Sequence, residues 1–306
     1  MTARPINIGI ELALLLALST LWGMSYTFIK IGVETIPPVT LIAVRTLIAA
    51  AVLVLVIRAR GLVWPKDAAT WRKFAFQACL NSVVPFTLIA WAEQTVDAGL
   101  ATILNSTTPI FTFLLTFFVT RHEIVTGRKM FGVAVGLVGI CLIVGFQALQ
   151  GFGLALWSQL AIVAATLSYA GAAILGRSFG NLDPMMPAAG SLICGAVMLL
   201  PVSLIVDRPW TLAPSQASIF ALICLAVLST AIAFAIYFRL LQTLGSVGAT
   251  AQAYLRVPIG VAIGCLFLGE VLTPTAWIGL VCVLAGVVAM TLPQRRPQVA
   301  GTKAAS

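Results

Sequence analysis

In the stretch AYLRVPIG (residues 253–260), Arg256 stands two residues before Pro258 and about ten residues into a run of small and apolar side chains. A lone guanidinium at mid-membrane costs from about 3 to above 10 kcal/mol, depending on how well water and partners reach it. No acid falls at that depth. Glu11, Glu34, Glu93, Asp97, Asp207 and Glu270 lie near the ends of apolar runs, and Asp67, Glu123 and Asp183 lie in connecting segments. Two outlets for the charge remain open. Pro258 has no N–H for the carbonyl of Tyr254, which leaves an acceptor for Arg256. Otherwise Arg256 faces a wet cavity and receives a substrate carboxylate, which a planar guanidinium suits.

Other polar residues sit where lipid-soluble ones are the rule. Arg45 is a second intramembrane cation, nearer one face, with a packing or gating role expected and snorkelling as its bland alternative. Trp22 and Tyr26 are spaced to share a face with Ser19 and Gly23, fit either to stack a planar substrate or to pack a neighbouring helix. Gln77 with Asn81, Asn105 with Thr108 and Thr112, Thr166 with Tyr169, and Gln252 with Arg256 form further stripes. Interhelical hydrogen bonds would explain each stripe singly, whereas five together fit a common cavity. Pro85, Pro109 and Pro258 interrupt these segments as bending points or static kinks.

Chemistry of other kinds finds no residues. The six cysteines form no CxxC pair and the only histidine, His122, sits between Arg121 and Glu123, so neither a metal site nor a cofactor is expected. A membrane-embedded enzyme would need a nucleophile and base or paired acids inside the bilayer, and the sequence offers no buried acids.

The elements that must carry these residues follow from composition. The chain is 60% hydrophobic and only 9% charged, against about 25% charged in soluble domains, so it is integral to a membrane. Ten apolar runs are long enough to cross as helices: 9–30, 38–58, 72–92, 97–120, 128–148, 153–176, 184–206, 215–241, 246–269 and 274–292. The +9 charge reads as a positive-inside signal rather than as nucleic-acid binding. With the N-terminus inside, the cytoplasmic side collects Arg4, Arg58, Arg60, Lys66, Arg72, Lys73, Arg121, Arg128, Lys129, Arg177, Arg239, Arg295, Arg296 and Lys303, and the opposite side only Lys30 and Arg208. Both termini are expected in the cytoplasm. Six tryptophans (Trp64, Trp71, Trp91, Trp157, Trp210 and Trp277) fall at the expected interfaces.

The chain also repeats itself. Glu123, Thr126, Gly132 and Gly139 recur as Glu270, Thr273, Gly279 and Gly286, and Gly99 and Pro109 recur as Gly248 and Pro258. The unit is five helices, with a first repeat over 1–150 and a second over 151–306. Five is odd, so the copies enter the membrane in opposite senses, as in transporters that expose one site to either side in turn. Gly132 and Gly136, with Gly260 and Gly264, are expected to pack helices closely, the first pair with a dimer face as alternative.

These residues carry a family resemblance. LWGMSYTFIK (21–30), RTLIAAAVLV (45–54) and the Pro–Glu–Gly blocks ending each half, with TRHE at 120–123 and LGE at 268–270, resemble the EamA family of the drug/metabolite transporter superfamily. The resemblance implies an all-α protein of ten transmembrane helices in two inverted repeats, a multi-pass inner-membrane exporter of amino acids, aromatic or neutral, or similar metabolites. The partners expected are a small-molecule substrate and the bilayer, in a monomer or homodimer. No phosphate-binding loop is present, so ATP drive by this chain is not expected. Without a mid-membrane acid, proton coupling would fall to an end-of-span carboxylate such as Glu93 or Glu270. A facilitative uniporter or exchanger of drug-like or sugar-type solutes, or a channel, are the alternatives.

Overall fold

The computed structural model describes residues 8–115, 117–118, 127–144, 154–180, 182–243 and 252–291. Among the described residues the chain forms ten apolar helical segments. These are α1 (Ile8–Gly32), α2 (Pro38–Ala59), α3 (Ala68–Ala92), α4 (Ala98–Leu115), α5 (Gly127–Val144), α6 (Leu154–Gly176), α7 (Met185–Val206), α8 (216–243), α9 (Gln252–Leu268) and α10 (Pro274–Thr291). Seven of them are long and apolar enough to cross a membrane, and α5, α9 and α10 contain shorter apolar stretches. The outer belt is aliphatic and aromatic, with Leu55, Leu266, Phe267 and Val281 largely exposed. Trp91, Trp157, Trp210 and Trp277 are exposed as well, while Trp64 stacks on Trp71 at 5.9 Å.

Polar side chains close several helix ends by accepting from amides that have no partner within the helix. The Asp67 carboxylate caps α3 by accepting the Thr70 amide at 2.7 Å, and the Ser215 hydroxyl caps α8 at Ser218. The start of α2 is held from another helix: Asp207, just past α7, accepts both the amide and the hydroxyl of Thr40 at 2.9 and 2.8 Å.

Helix α5 packs on α10, α2 on α7, α1 on α9 and α4 on α6. The α5–α10 seam displays the repeat directly. A Cβ on Gly139 would lie 2.8 Å from the Gly279 carbonyl oxygen, and one on Gly286 would lie 2.5 Å from that of Gly132. Because Gly139 and Gly132 are the repeat mates of Gly286 and Gly279, this reciprocity is that of a pseudo-two-fold axis between the halves. The Gly132–Gly136 face is therefore filled by α10 within the chain and is not free for a second copy.

Two helices depart from regular winding. Helix α3 contains a π-helical turn at Cys79–Val83, just before Pro85, and α8 contains one at Val227–Ile232. The turns occupy nearly equivalent places in the two repeats, yet only the first is followed closely by a proline. Helix α4 breaks at Ser106 and Thr107, between Ala98–Asn105 and Thr108–Leu115. Hydroxyls at the break take its carbonyls: Ser106, Thr107 and Thr108 donate to Ile103, Leu104 and Asn105.

Candidate functional site

Arg256 lies on α9 where that helix crosses α1 closely. A Cβ on Gly23 of α1 would meet the Arg256 carbonyl oxygen at 3.3 Å and the Gly260 amide at 3.1 Å. With α9 pressed on α1 there, the Arg256 Nε is buried without a hydrogen-bond partner. No acceptor for the Arg256 side chain occurs among the described residues, so the carbonyl freed by Pro258 does not take it. The Tyr254 side chain and the Pro109 side chain lie outside the described residues.

Arg45 does not snorkel. It is 4% exposed, its Nε donates to the Thr230 hydroxyl at 2.8 Å, and its guanidinium lies 3.8 Å over the Phe86 ring. The π-helical turn of α8 presents that hydroxyl, which itself donates five residues back to the Leu225 carbonyl. Phe86 in turn meets Tyr169 of α6 edge-on, with 6.4 Å between centroids. Pro85, beside Phe86, is buried just after the π-helical turn of α3.

The expected shared face of Trp22 and Tyr26 divides. Trp22 turns to α8, where it packs on Phe234 and, at 5.2 Å, on Tyr237. Tyr26 is buried toward α4, with the Asn105 amide donating to its hydroxyl. Ser19 points to α9 and donates to the Gln252 carbonyl at 3.2 Å. Tyr26 and Phe86 share one buried cluster on which Tyr169 packs, and Arg45 lies over Phe86, so residues of α1, α2, α3 and α6 meet in one region. Of the other stripe residues, Thr108, Thr112 and Thr166 spend their hydroxyls on carbonyls of their own helices.

Several buried polar atoms remain unpaired: Gln77 Oε1, Ser82 Oγ, Asn105 Oδ1 and Gln252 Oε1, besides Arg256 Nε. Buried polar groups are nearly always satisfied, so each of these orphans calls for a partner that the protein itself does not supply. Gln77 and Asn81 border a cavity of about 60 Å³ with Phe179, Ser191 and Phe234. It has room for a few waters and is too small for an amino acid. At the opposite end, Lys30, Glu34, Glu93 and Gln94 border a larger cavity of about 300 Å³.

The absence of buried acids expected from sequence does not hold. Glu93 is fully buried and Glu11 is 2% exposed, because the helix ends converge over both. Glu11 pairs with Arg239 at 2.8 Å. Glu270 spans the end of α9 and the start of α4, accepting the Ala98 and Gly99 amides at 2.6 and 2.7 Å. Its mate Glu123 lies outside the described residues, as do Arg121, His122 and Thr126.

The EamA-like transporter family matches residues 8–145 and again residues 156–292. The chain belongs to that family. The two EamA matches fall on α1–α5 and α6–α10. The chain is similar to the uncharacterized inner membrane transporter YedA of Escherichia coli (strain K12), 28% identical over 91% of this chain and 89% of that protein. It is similar also to a probable terminal-alkyne amino-acid exporter of Streptantibioticus cattleyicolor, 27% identical over 93% and 95% of the two chains. One solved crystal structure superposes with a TM-score of 0.62 at 17% identity, over 92% of this chain and 96% of the other, which shows a shared fold. EamA membership makes the chain an integral membrane transporter rather than an enzyme.

Proposed function

We propose that the chain exports small amino-acid-type metabolites by alternating access at the interior between its two halves, 1–150 and 151–306, with both termini cytoplasmic. Arg256 carries this reading, since its Nε is buried on an apolar helix without an acceptor. A substrate carboxylate supplies the missing partner, as charge-assisted bonds to guanidinium are strong and geometrically selective. Tyr26 and Tyr169 flank the same region, while Trp22, Gln252, Gln77, Asn81, Asn105 and Thr108 line the path on either side of it. Tyr254 joins them by its place one turn before Pro258. Pro85, Pro109 and Pro258 serve as bending points, and Arg45 with Phe86 positions α3 against α2. The name of the Streptantibioticus relative supports amino acids as the substrate class.

Thermal shift of the purified protein against a panel of amino acids, their decarboxylated amines and sugars tests the reading. Wild type is expected to be stabilised by carboxylate-bearing members alone. Arg256→Gln removes that response and leaves the ligand-free transition in place. A variant that responds like wild type sinks the carboxylate role, and stabilisation by sugars alone replaces the substrate class.

A further inference from the structure

Glu93 is the titratable group that the transport reading leaves unused. It follows the last residue of α3, is fully buried, and neither carboxylate oxygen has a hydrogen-bond partner. Its surroundings hold cations that do not neutralise it by contact. Lys30 on α1, which lines the same cavity, donates from its ammonium to the Val96 carbonyl at 2.9 Å. Arg45 on α2 is engaged by Thr230 and Phe86. The acid Glu270, beyond α9, is fixed on two backbone amides. Tyr26 on α1 also feels Glu93, Tyr169 on α6 lies within the fields of Tyr26 and Arg45, and Glu34 shares the adjoining cavity.

An unpaired carboxylate without water is costly, and such a group keeps its proton instead. Burial accordingly holds the Glu93 carboxyl well above the usual carboxylate range, with Lys30 the largest opposing pull. Residue Glu93 also lines, with Lys30, Glu34 and Gln94, a cavity of about 300 Å³, while its two carboxylate oxygens stay covered. Burial, missing partners and that cavity distinguish Glu93 from Glu270, whose charge is locked in place.

We propose that Glu93 is the proton-carrying carboxyl of a proton–substrate antiport, loaded from the Lys30–Glu34 cavity and unloaded when the site faces the other side. The cycle balances. One proton adds to a Glu93 oxygen from the medium on the Lys30 side, and the O–H bond breaks toward the cytoplasm in the half-cycle that admits substrate. The proposal rests on the export reading above for its coupling partner, but the protonation itself does not.

Two measurements on the full-length chain separate these parts. Infrared difference spectroscopy of the protein in lipid, titrated without substrate, is expected to show a protonated carboxyl band persisting above the ordinary carboxylate range in wild type and missing in Glu93→Gln. Proteoliposomes then report counterflow of radiolabelled L-phenylalanine, L-leucine and L-threonine, with and without an imposed pH gradient. Wild type is expected to accelerate with the gradient. Glu93→Gln is expected to keep gradient-free counterflow and lose the acceleration. A band unchanged by the substitution, a wild type that exchanges substrate but ignores the gradient, or a Glu93→Gln protein that still follows it overturns the proposal. Absence of counterflow for every probe in wild type counts against the amino-acid reading, and the infrared titration still decides Glu93.

Discussion

The Glu270 carboxylate and the Gly99 amide lie 2.7 Å apart, joining the end of α9 to the start of α4 across 171 residues. The second carboxylate oxygen takes the Ala98 amide, so one side chain satisfies two orphan donors and opposes the positive end of the helix dipole. Losing it in Glu270→Ala is expected to cost about 1–2 kcal/mol. Gly264→Ala reaches the same contact from the other side, because its Cβ would run into a Glu270 carboxylate oxygen. Thermal unfolding of both single variants and the double variant in detergent checks the linkage. The double variant is expected to lose less than the summed singles, since without Glu270 the added methyl has no carboxylate to displace. Full additivity would show that the two act separately.

The α5–α10 seam makes a symmetric prediction. In Gly286→Ala the new methyl meets the Gly132 carbonyl oxygen at 2.5 Å, and in Gly139→Ala it meets that of Gly279 at 2.8 Å. Backbone atoms cannot turn aside, so each variant is expected to lose about 1–3 kcal/mol by forcing the helices apart. Gly127→Ala is the control, with nothing within 4 Å of the added carbon. Fluorescence-detected size-exclusion melting ranks the three. A tolerant Gly286→Ala would mean that the halves do not meet backbone to backbone.

Arg45 and Thr230 form a polar link between α2 and α8 in an otherwise apolar interior. Thr230→Val keeps the shape but leaves the Arg45 Nε buried and unpaired, at an expected cost of about 1–3 kcal/mol. Arg45→Lys is expected to destabilise as well, since an ammonium cannot lie flat over Phe86 while donating sideways to Thr230. Equal melting temperatures for wild type and Thr230→Val would remove the link from the account.

Much of the fold was legible because it depends on period and spacing. The offset from Glu123, Gly132 and Gly139 to Glu270, Gly279 and Gly286 announces the reciprocal glycine seam. Arg256 stands out because a charge in an apolar run needs a reason. The π-helical turns were not legible. Pro85 marks the one in α3, but α8 has Ile232 at the corresponding position, so nothing in its sequence signals the turn at Val227–Ile232. Burial of an end-of-span acid also escapes a linear reading. Glu34 and Glu93 both follow the end of an apolar run, yet Glu93 is fully buried and Glu34 is exposed, because three-dimensional convergence of helix ends covers one and not the other. The break in α4 is intermediate: Pro109 signals it, while the hydroxyls that make it affordable are ordinary-looking Ser and Thr residues.

Glu93 also sets a sign for stability against pH. Its carboxyl has an ordinary value of 4.5 and a raised value in the folded protein. Between those two values the folded state holds a proton that the unfolded state has released, so stability falls as pH rises through the window. The penalty is complete once pH exceeds the folded-state value, and it vanishes below about 4.5, where both states are protonated. Glu93→Gln has no such titration. The melting temperature of the variant is therefore expected to gain on wild type as pH is raised above about 4.5, then level off once pH passes the folded-state value. A difference that stays flat, or that shrinks as pH rises, would mean that Glu93 ionises in the folded protein as readily as in the unfolded chain.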